Sequence, residues 1–395
     1  MHARPLGNPA FRALLAARTV SFLGDSLSLV ALMLHVAATT GQALAVALLL
    51  LVGDFAPALL GPLAGTVSDR FALRRVMVGS ELVQAGLLVA LAVWLPPLPL
   101  LLVLVGLRAL AGQVFQPASR AAVPALAGDA GLERANAAIG AGTNLGEALG
   151  PLAAAALLPW LGVRGVLLAD AGSFLVSAAL LTRLPALPRA ALGGSFLSAT
   201  AEGLRAIVAQ PVVRAVTGGF FAVVTCNGID DVALVFLATG TLGAGPPAAG
   251  LLLGAVGIGL LAGYALLTRV RVALPVLLLA GFAVSSAGNL LTGLAWAVAA
   301  AFGVQAVRGL GIAAMDVAAT TIIQREVPAG LQGRVFGGFN GAVGIAAALA
   351  YLGGGLLLDL TTPRTAFIVA GACGLLATLA TAVALRRCAD HAAWQ

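Results

Sequence analysis

The chain has 395 residues, of which 61% are hydrophobic and 9% charged, and it carries a formal net charge of +7. A soluble domain carries about 25% charge, so a water-soluble core is excluded, whereas about twelve membrane spans of roughly 20 residues fit this length. All basic residues are arginines that punctuate apolar stretches, which argues against a nucleic-acid partner, and the missing lysine excludes a Walker A phosphate loop and with it an ATP site.

Hydropathy and turn signals predict spans near 19–40, 43–65, 74–95, 98–117, 135–158 and 163–182. A second set is expected near 213–238, 246–268, 273–294, 296–320, 333–357 and 364–385. The first apolar stretch is too long and too poorly flanked for a cleaved signal peptide and is expected to be retained. The predicted organisation is an N-terminal bundle over 1–182, a polar linker over 183–211 and a C-terminal bundle over 212–395. Arg4, Arg12 and Arg18 precede the first span, and arginines recur after every even-numbered span, while the opposite loops hold only Arg164 and Arg364. The positive-inside rule therefore predicts cytoplasmic termini and a cytoplasmic linker. Trp94, Trp160 and Trp296 fall at outer span ends, as interfacial anchors do. Cys226, Cys373 and Cys388 are scattered, and His2, His35 and His391 form no ligand spacing, so neither metal nor disulfide framework is expected.

In chain order, the first motif is Gly65-Thr-Val-Ser-Asp69-Arg70-Phe-Ala-Leu-Arg74-Arg75, after span two. Gly65 permits close helix approach, Asp69 can cap a helix N-terminus, and Arg70, Arg74 and Arg75 can meet carbonyls or anionic headgroups. Arg108 lies in the apolar run 100–114, and Arg308 lies in 302–312. A guanidinium at mid-bilayer costs roughly 2.5–3.5 kcal/mol and marks a bundle interior or aqueous cavity. Three arginine pairs, Arg108/Arg308, Arg134/Arg334 and Arg164/Arg364, repeat on corresponding elements and predict two six-span halves. In span five, Gly142, Gly146 and Gly150 recur every fourth residue before Pro151. That spacing makes a flat packing face, and the proline removes a backbone donor. Gly140/Gly142 and Gly257/Gly259 have the wrong later spacing for a dinucleotide loop and lie inside spans.

The loop at 65–75 resembles the signature G-x-L-x-D-R-x-G-R-[KR] of the major facilitator superfamily, with Ala72 and Leu73 departing from it. The Gly-x-x-x-Gly-Pro of span five is similar to that superfamily's antiporter motif. Two further runs, Phe115-Gln-Pro117-Ala-Ser-Arg120 through Asn136 and Gln324-Arg325 through Phe336, resemble its macrolide-efflux and siderophore-exporter branch. The resemblance implies twelve helices in two pseudo-symmetric six-helix bundles, an all-α integral membrane fold in the plasma membrane. It also implies that the loop acts as a conformational latch and that spans 1, 4, 7 and 10 line a central cavity.

On those spans the candidates for proton coupling are Asp25, Arg108, Asp230, Asp231, Arg308 and Asp316. Asp230 and Asp231 lie about 100° apart on a helix, so one of the two is expected to face the cavity. Asp54 and Glu147 divide between structural and coupling roles, and Glu81 and Asp170 are expected near interfaces, in ordinary structural roles. A carboxylate that exchanges an apolar neighbourhood for an arginine or water takes up and releases a proton. Asn227, Phe220 and Phe221 are candidate substrate contacts. These readings predict a monomeric exporter of amphipathic small molecules that uses the proton gradient and needs no cofactor. A siderophore or lysophospholipid transporter, and a non-transporting sensor or scaffold, are the alternatives.

Overall fold

The structure is a computed structural model that describes residues 7–55, 71–128, 132–185, 196–267, 269 and 272–392. Among the described residues the regular elements are all helical. They divide into two compact units, Met1–Gly41 with Leu48–Gly193, and Gln42–Ala47 with Gly194–Gln395.

Helix α1, Pro9–Thr40, begins with proline at its first position and an Asn8 cap whose side chain accepts from the Ala10 N–H at 2.9 Å. Proline fits there because its missing donor would be orphaned in any case. Gly41 ends the helix at φ 65°, returning its N–H to the Ala37 carbonyl. Arg18, expected in the flanking segment, instead lies inside α1 and is buried. Helix α2, Ala43–Leu50, continues as a widened turn to Phe55. Then come α3, Leu73–Trp94, and α4, Leu98–Ala127, the latter carrying Pro117 and Pro124 internally.

The stretch Leu132–Leu181 reads as one helix, but Gly162 breaks it at φ 63°, ψ −179°. Fifty residues of unbroken helix would run ~75 Å, against a hydrocarbon layer of ~30 Å. It is two spans, α5 over 132–161 and α6 over 163–181. Glycine suits the corner because positive φ brings Cβ against the following carbonyl in other residues.

After α6 the chain continues in the second unit with α7, Phe196–Ala209, which holds Glu202 within 2.5 Å of Arg334. Span seven is split into α8, Pro211–Asn227, and α9, Asp230–Phe236. The remaining helices are α10, Pro246–Leu267; α11, Leu274–Gly293; α12, Val298–Glu326; α13, Ala329–Leu360; and α14, Pro363–Ala392. Ten described stretches are long and apolar enough to cross a membrane, one of them being the broken pair α5 and α6. A shorter apolar helix, Ala43–Gly53, stands where span two is expected.

Glycine sets the helix spacing in both units. A Cβ at Gly142 would meet Thr19 Oγ1 at 2.3 Å, at Gly146 the Leu23 nitrogen at 2.9 Å, and at Gly150 the Ser26 Cβ at 2.3 Å. The face read from the sequence is thus pressed along α1, and it fixes that helix against α5. In the second unit Gly259 and Gly309 bring α10 and α12 together, since their added Cβ atoms would lie 1.8 Å from the Ala306 oxygen and 2.2 Å from the Val256 oxygen. The apolar core of the first unit includes Phe11, Leu14, Met77 and Phe115, and that of the second includes Phe220, Phe282 and Met315. Trp94, Trp160 and Trp296 stay exposed at helix ends.

Candidate functional site

Each unit buries a guanidinium on its fourth span against a carboxylate from its first. In the first unit Arg108 of α4 pairs with Asp25 of α1, and its Nη1 lies 3.9 Å from Asp170 Oδ2 on α6. The Asp25 side chain keeps 38% exposure, whereas Asp170 is fully buried. Asp170 reaches this position because α1 presents Gly24 to it: an added Cβ would sit 2.1 Å from Asp170 Oδ1. Ser173 donates to the same Oδ1 at 3.0 Å. The expectation that Asp170 lies near an interface is therefore corrected; its helix packs it inward.

These groups border a cavity of about 380 Å³ that belongs wholly to the first unit, with Asp25, Glu81, Gln84, Arg108, Gln116 and Phe174 in its wall. Glu81 of α3 is only 1% exposed, so its predicted interfacial place is corrected as well. Arg18 donates to Ser119 Oγ at 2.7 Å and Gln116 Oε1 at 3.3 Å, and its guanidinium lies 5.6 Å from the Phe22 ring centroid.

In the second unit Arg308 of α12 pairs with Asp230 at the first turn of α9. Its Nη1 also donates to Gln305 Oε1 at 3.3 Å, and Gln305 donates to Thr292 Oγ1 at 3.0 Å. Gly288 of α11 leaves room for this side chain; a Cβ there would lie 2.8 Å from Arg308 Cβ. Of the adjacent aspartates, Asp230 is the one ion-paired to Arg308, while Asp231 is less buried. Span seven breaks immediately before Asp230, at Gly228 and Ile229. Hydropathy carried no sign of the break, although Asn-Gly at 227–228 is a turn-forming pair. Asn289 Nδ2 turns to Asn227 at the break, 3.4 Å from its backbone oxygen and 3.1 Å from its side-chain oxygen. A helix break inside a membrane is tolerated where neighbouring groups satisfy the released backbone.

Two of the three predicted substrate contacts, Phe220 and Asn227, are corrected by packing. Phe220 is a core residue, edge-to-face with Phe282 at 5.7 Å and Phe339 at 5.1 Å. Phe221 is partly buried and its backbone oxygen accepts from Thr225. Asn227 is buried and donates to Ser286 Oγ at 2.9 Å, so it binds α11 rather than joining Asp230. Asp316 accepts from Tyr264 at 3.3 Å. Gly65, Asp69 and Arg70, and the side chains of Asp54 and Glu147, lie outside the described residues. Arg74 donates to the Leu184 oxygen at 2.8 Å, and Arg75 is exposed.

The profile of the Major Facilitator Superfamily matches residues 14–239. The chain is 30% identical over 385 residues to the uncharacterized MFS-type transporter YfiS of Bacillus subtilis (strain 168), covering 91% of this chain and 89% of that protein. This protein belongs to the Major Facilitator Superfamily. A second MFS-type transporter, y4rN of Sinorhizobium fredii (strain NBRC 101917 / NGR234), is 29% identical, with 94% of each chain covered. Among solved structures, the nucleoside transporter NupG superposes with a TM-score of 0.74 at 13% identity, covering 95% of this chain and 99% of that one. A bacterial homologue of the iron transporter ferroportin gives 0.74 at 16% identity, covering 95% and 98%. At such identities the likeness is one of fold; the family match and the ten apolar stretches are what make the protein a multi-pass membrane transporter. For a superfamily member, the matched Arg108 and Arg308 sets stand on the first and fourth spans of each half.

Proposed function

We propose that the protein is a proton-coupled exporter of hydrophobic or amphipathic small molecules that works by alternating access. One observation carries this reading: Arg108 stands against two carboxylates, Asp25 and Asp170, at the wall of a cavity large enough for a small molecule. With every group ionised, the set would hold one negative charge in excess. Buried charge is costly unless it is paired, so a proton held in this buried neighbourhood, or a cation from the cavity, offsets the excess. Asp25 keeps contact with the cavity and Asp170 does not, so the two carboxylates can be loaded unequally as the surroundings change.

Export is favoured over uptake by the Gly142-x-x-x-Gly146-x-x-x-Gly150-Pro151 face and by the resemblance of 115–136 and 324–336 to drug and siderophore exporters. A plasma-membrane location with cytoplasmic termini and a monomeric state belong to the same reading. A scaffold without flux would have no use for ion pairs buried in both units.

The test is transport in proteoliposomes with an imposed pH gradient, screening macrolides, dyes, siderophores and lysolipids. Accumulation that follows the gradient, and is lost in Asp25→Asn and Arg108→Ala at unchanged membrane expression, is the expected result. Transport that ignores the pH gradient, or both variants working as well as the parent, refutes the reading.

A further inference from the structure

We propose that Glu81 is a second proton-binding residue of the first unit, and that it works against Arg18 rather than Arg108. The proposal extends the proton coupling suggested above, but it stands on a different group of side chains. Glu81 sits mid-way along α3 in the cavity wall, 1% exposed and beside the Ser177 hydroxyl of α6, and among the described residues its buried Oε2 has no partner within hydrogen-bond geometry. Among the described residues no guanidinium lies within 4.0 Å of it. Arg18 is buried nearby on α1, and among the described residues its hydrogen-bond partners are neutral, the Ser119 hydroxyl and the Gln116 side-chain oxygen, with Nε left over. Opposite charges have thus been placed in one buried neighbourhood without being joined.

The charged groups that bear on Glu81 are Arg18 and Asp25 from α1 and Asp170 from α6; Arg120, exposed on α4, bears on Arg18. Arg108 of α4 shares the cavity wall. Three carboxylates, Glu81, Asp25 and Asp170, therefore stand with two buried guanidiniums, Arg18 and Arg108. One proton balances the set. Asp25 and Asp170 both lie within 4.0 Å of Arg108, and Glu81 has no such neighbour. The proton therefore resides on Glu81 in this conformation. When α1 and α3 shift so that Glu81 meets Arg18 or cavity water, the proton passes from the carboxyl to water and the carboxylate is left facing the guanidinium.

The experiment uses the full-length transporter in lipid nanodiscs. Infrared difference spectra across a pH step read the C=O stretch of protonated carboxyl groups and need no substrate. Glu81→Gln is expected to remove that band, and Asp170→Asn to keep it. Arg18→Gln should keep the band and move its loss to higher pH, because the cation that favours the carboxylate is gone; this variant tests the proposal even if Glu81→Gln misfolds. In proteoliposomes, Glu81→Gln should lose pH-driven accumulation at least ten-fold more than it loses substrate counterflow, with Glu81→Asp recovering part of the driven transport. A band that survives in Glu81→Gln and disappears in Asp170→Asn overturns the proposal. So does an Arg18→Gln titration that matches the parent. Should the spectra behave as expected while the parent shows no pH-driven transport, the exporter reading fails and the Glu81 assignment stands.

Discussion

Gly24→Ala probes how α1 and α6 create the buried Arg108 set. The added methyl would lie 2.1 Å from Asp170 Oδ1 and 2.2 Å from Ser173 Oγ, well inside the 3.0 Å floor of real Cβ contacts. Ser173 can rotate, but Asp170 is fully buried, so its carboxylate can retreat only by moving α6. Overpacking of this kind costs about 1–3 kcal/mol. Loss of the Ser173 hydrogen bond would add about 1.5–3 kcal/mol, since the acceptor is a carboxylate. Against this, any helical Gly→Ala change gains roughly 0.5–1 kcal/mol of backbone entropy. Gly172→Ala cancels that term as a control, because it lies on α6 beside Asp170 and its Cβ would meet nothing within 4 Å. Reversible unfolding in mixed micelles should therefore place Gly24→Ala below Gly172→Ala by at least about 1–3 kcal/mol. Equal stability of the two variants would show that α1 and α6 do not pack as described, and the account of Asp170 would go with it.

The second unit offers a double-mutant cycle. Arg308→Met leaves Asp230 buried without its partner and should cost about 3–5 kcal/mol. Adding Asp230→Asn should restore most of that loss, and strictly additive changes in unfolding free energy would deny the pair. At the crossing of α10 and α12, Gly309→Ala would put a methyl 2.2 Å from the Val256 oxygen and 2.7 Å from the Leu260 nitrogen. Both are backbone atoms that cannot turn aside, so its midpoint of unfolding should fall well below that of Gly303→Ala, whose Cβ meets nothing within 4 Å. Matching midpoints would rule out the close crossing.

Several parts of the site were legible in the sequence because they are local. Arg108 and Arg308 stood out since a charge in an apolar run is costly wherever the run lies. The Gly142, Gly146 and Gly150 face was visible because a period of four is a property of one helix. Asp170 and Glu81 were misplaced for the converse reason. Both were expected near interfaces, and only the packing of α6 against α1, and of α3 against α4 and the α5–α6 pair, shows them buried. Phe220 and Phe221 looked like ligand contacts by residue type, yet an aromatic ring suits a core equally well, and Phe220 is spent on Phe282 and Phe339. The break at Gly228 left no trace in hydropathy because both halves of span seven are equally apolar.

The amino-acid order by itself determined the solvent, the helical class and the placement of the buried arginines, because transfer into hydrocarbon is a sum over neighbouring residues. Tertiary structure alone decided which carboxylate meets which guanidinium. Neighbouring residues on a helix differ in direction by about 100°, so the partner of Arg108 or Arg308 depends on how distant helices are rotated and how closely their glycines let them approach.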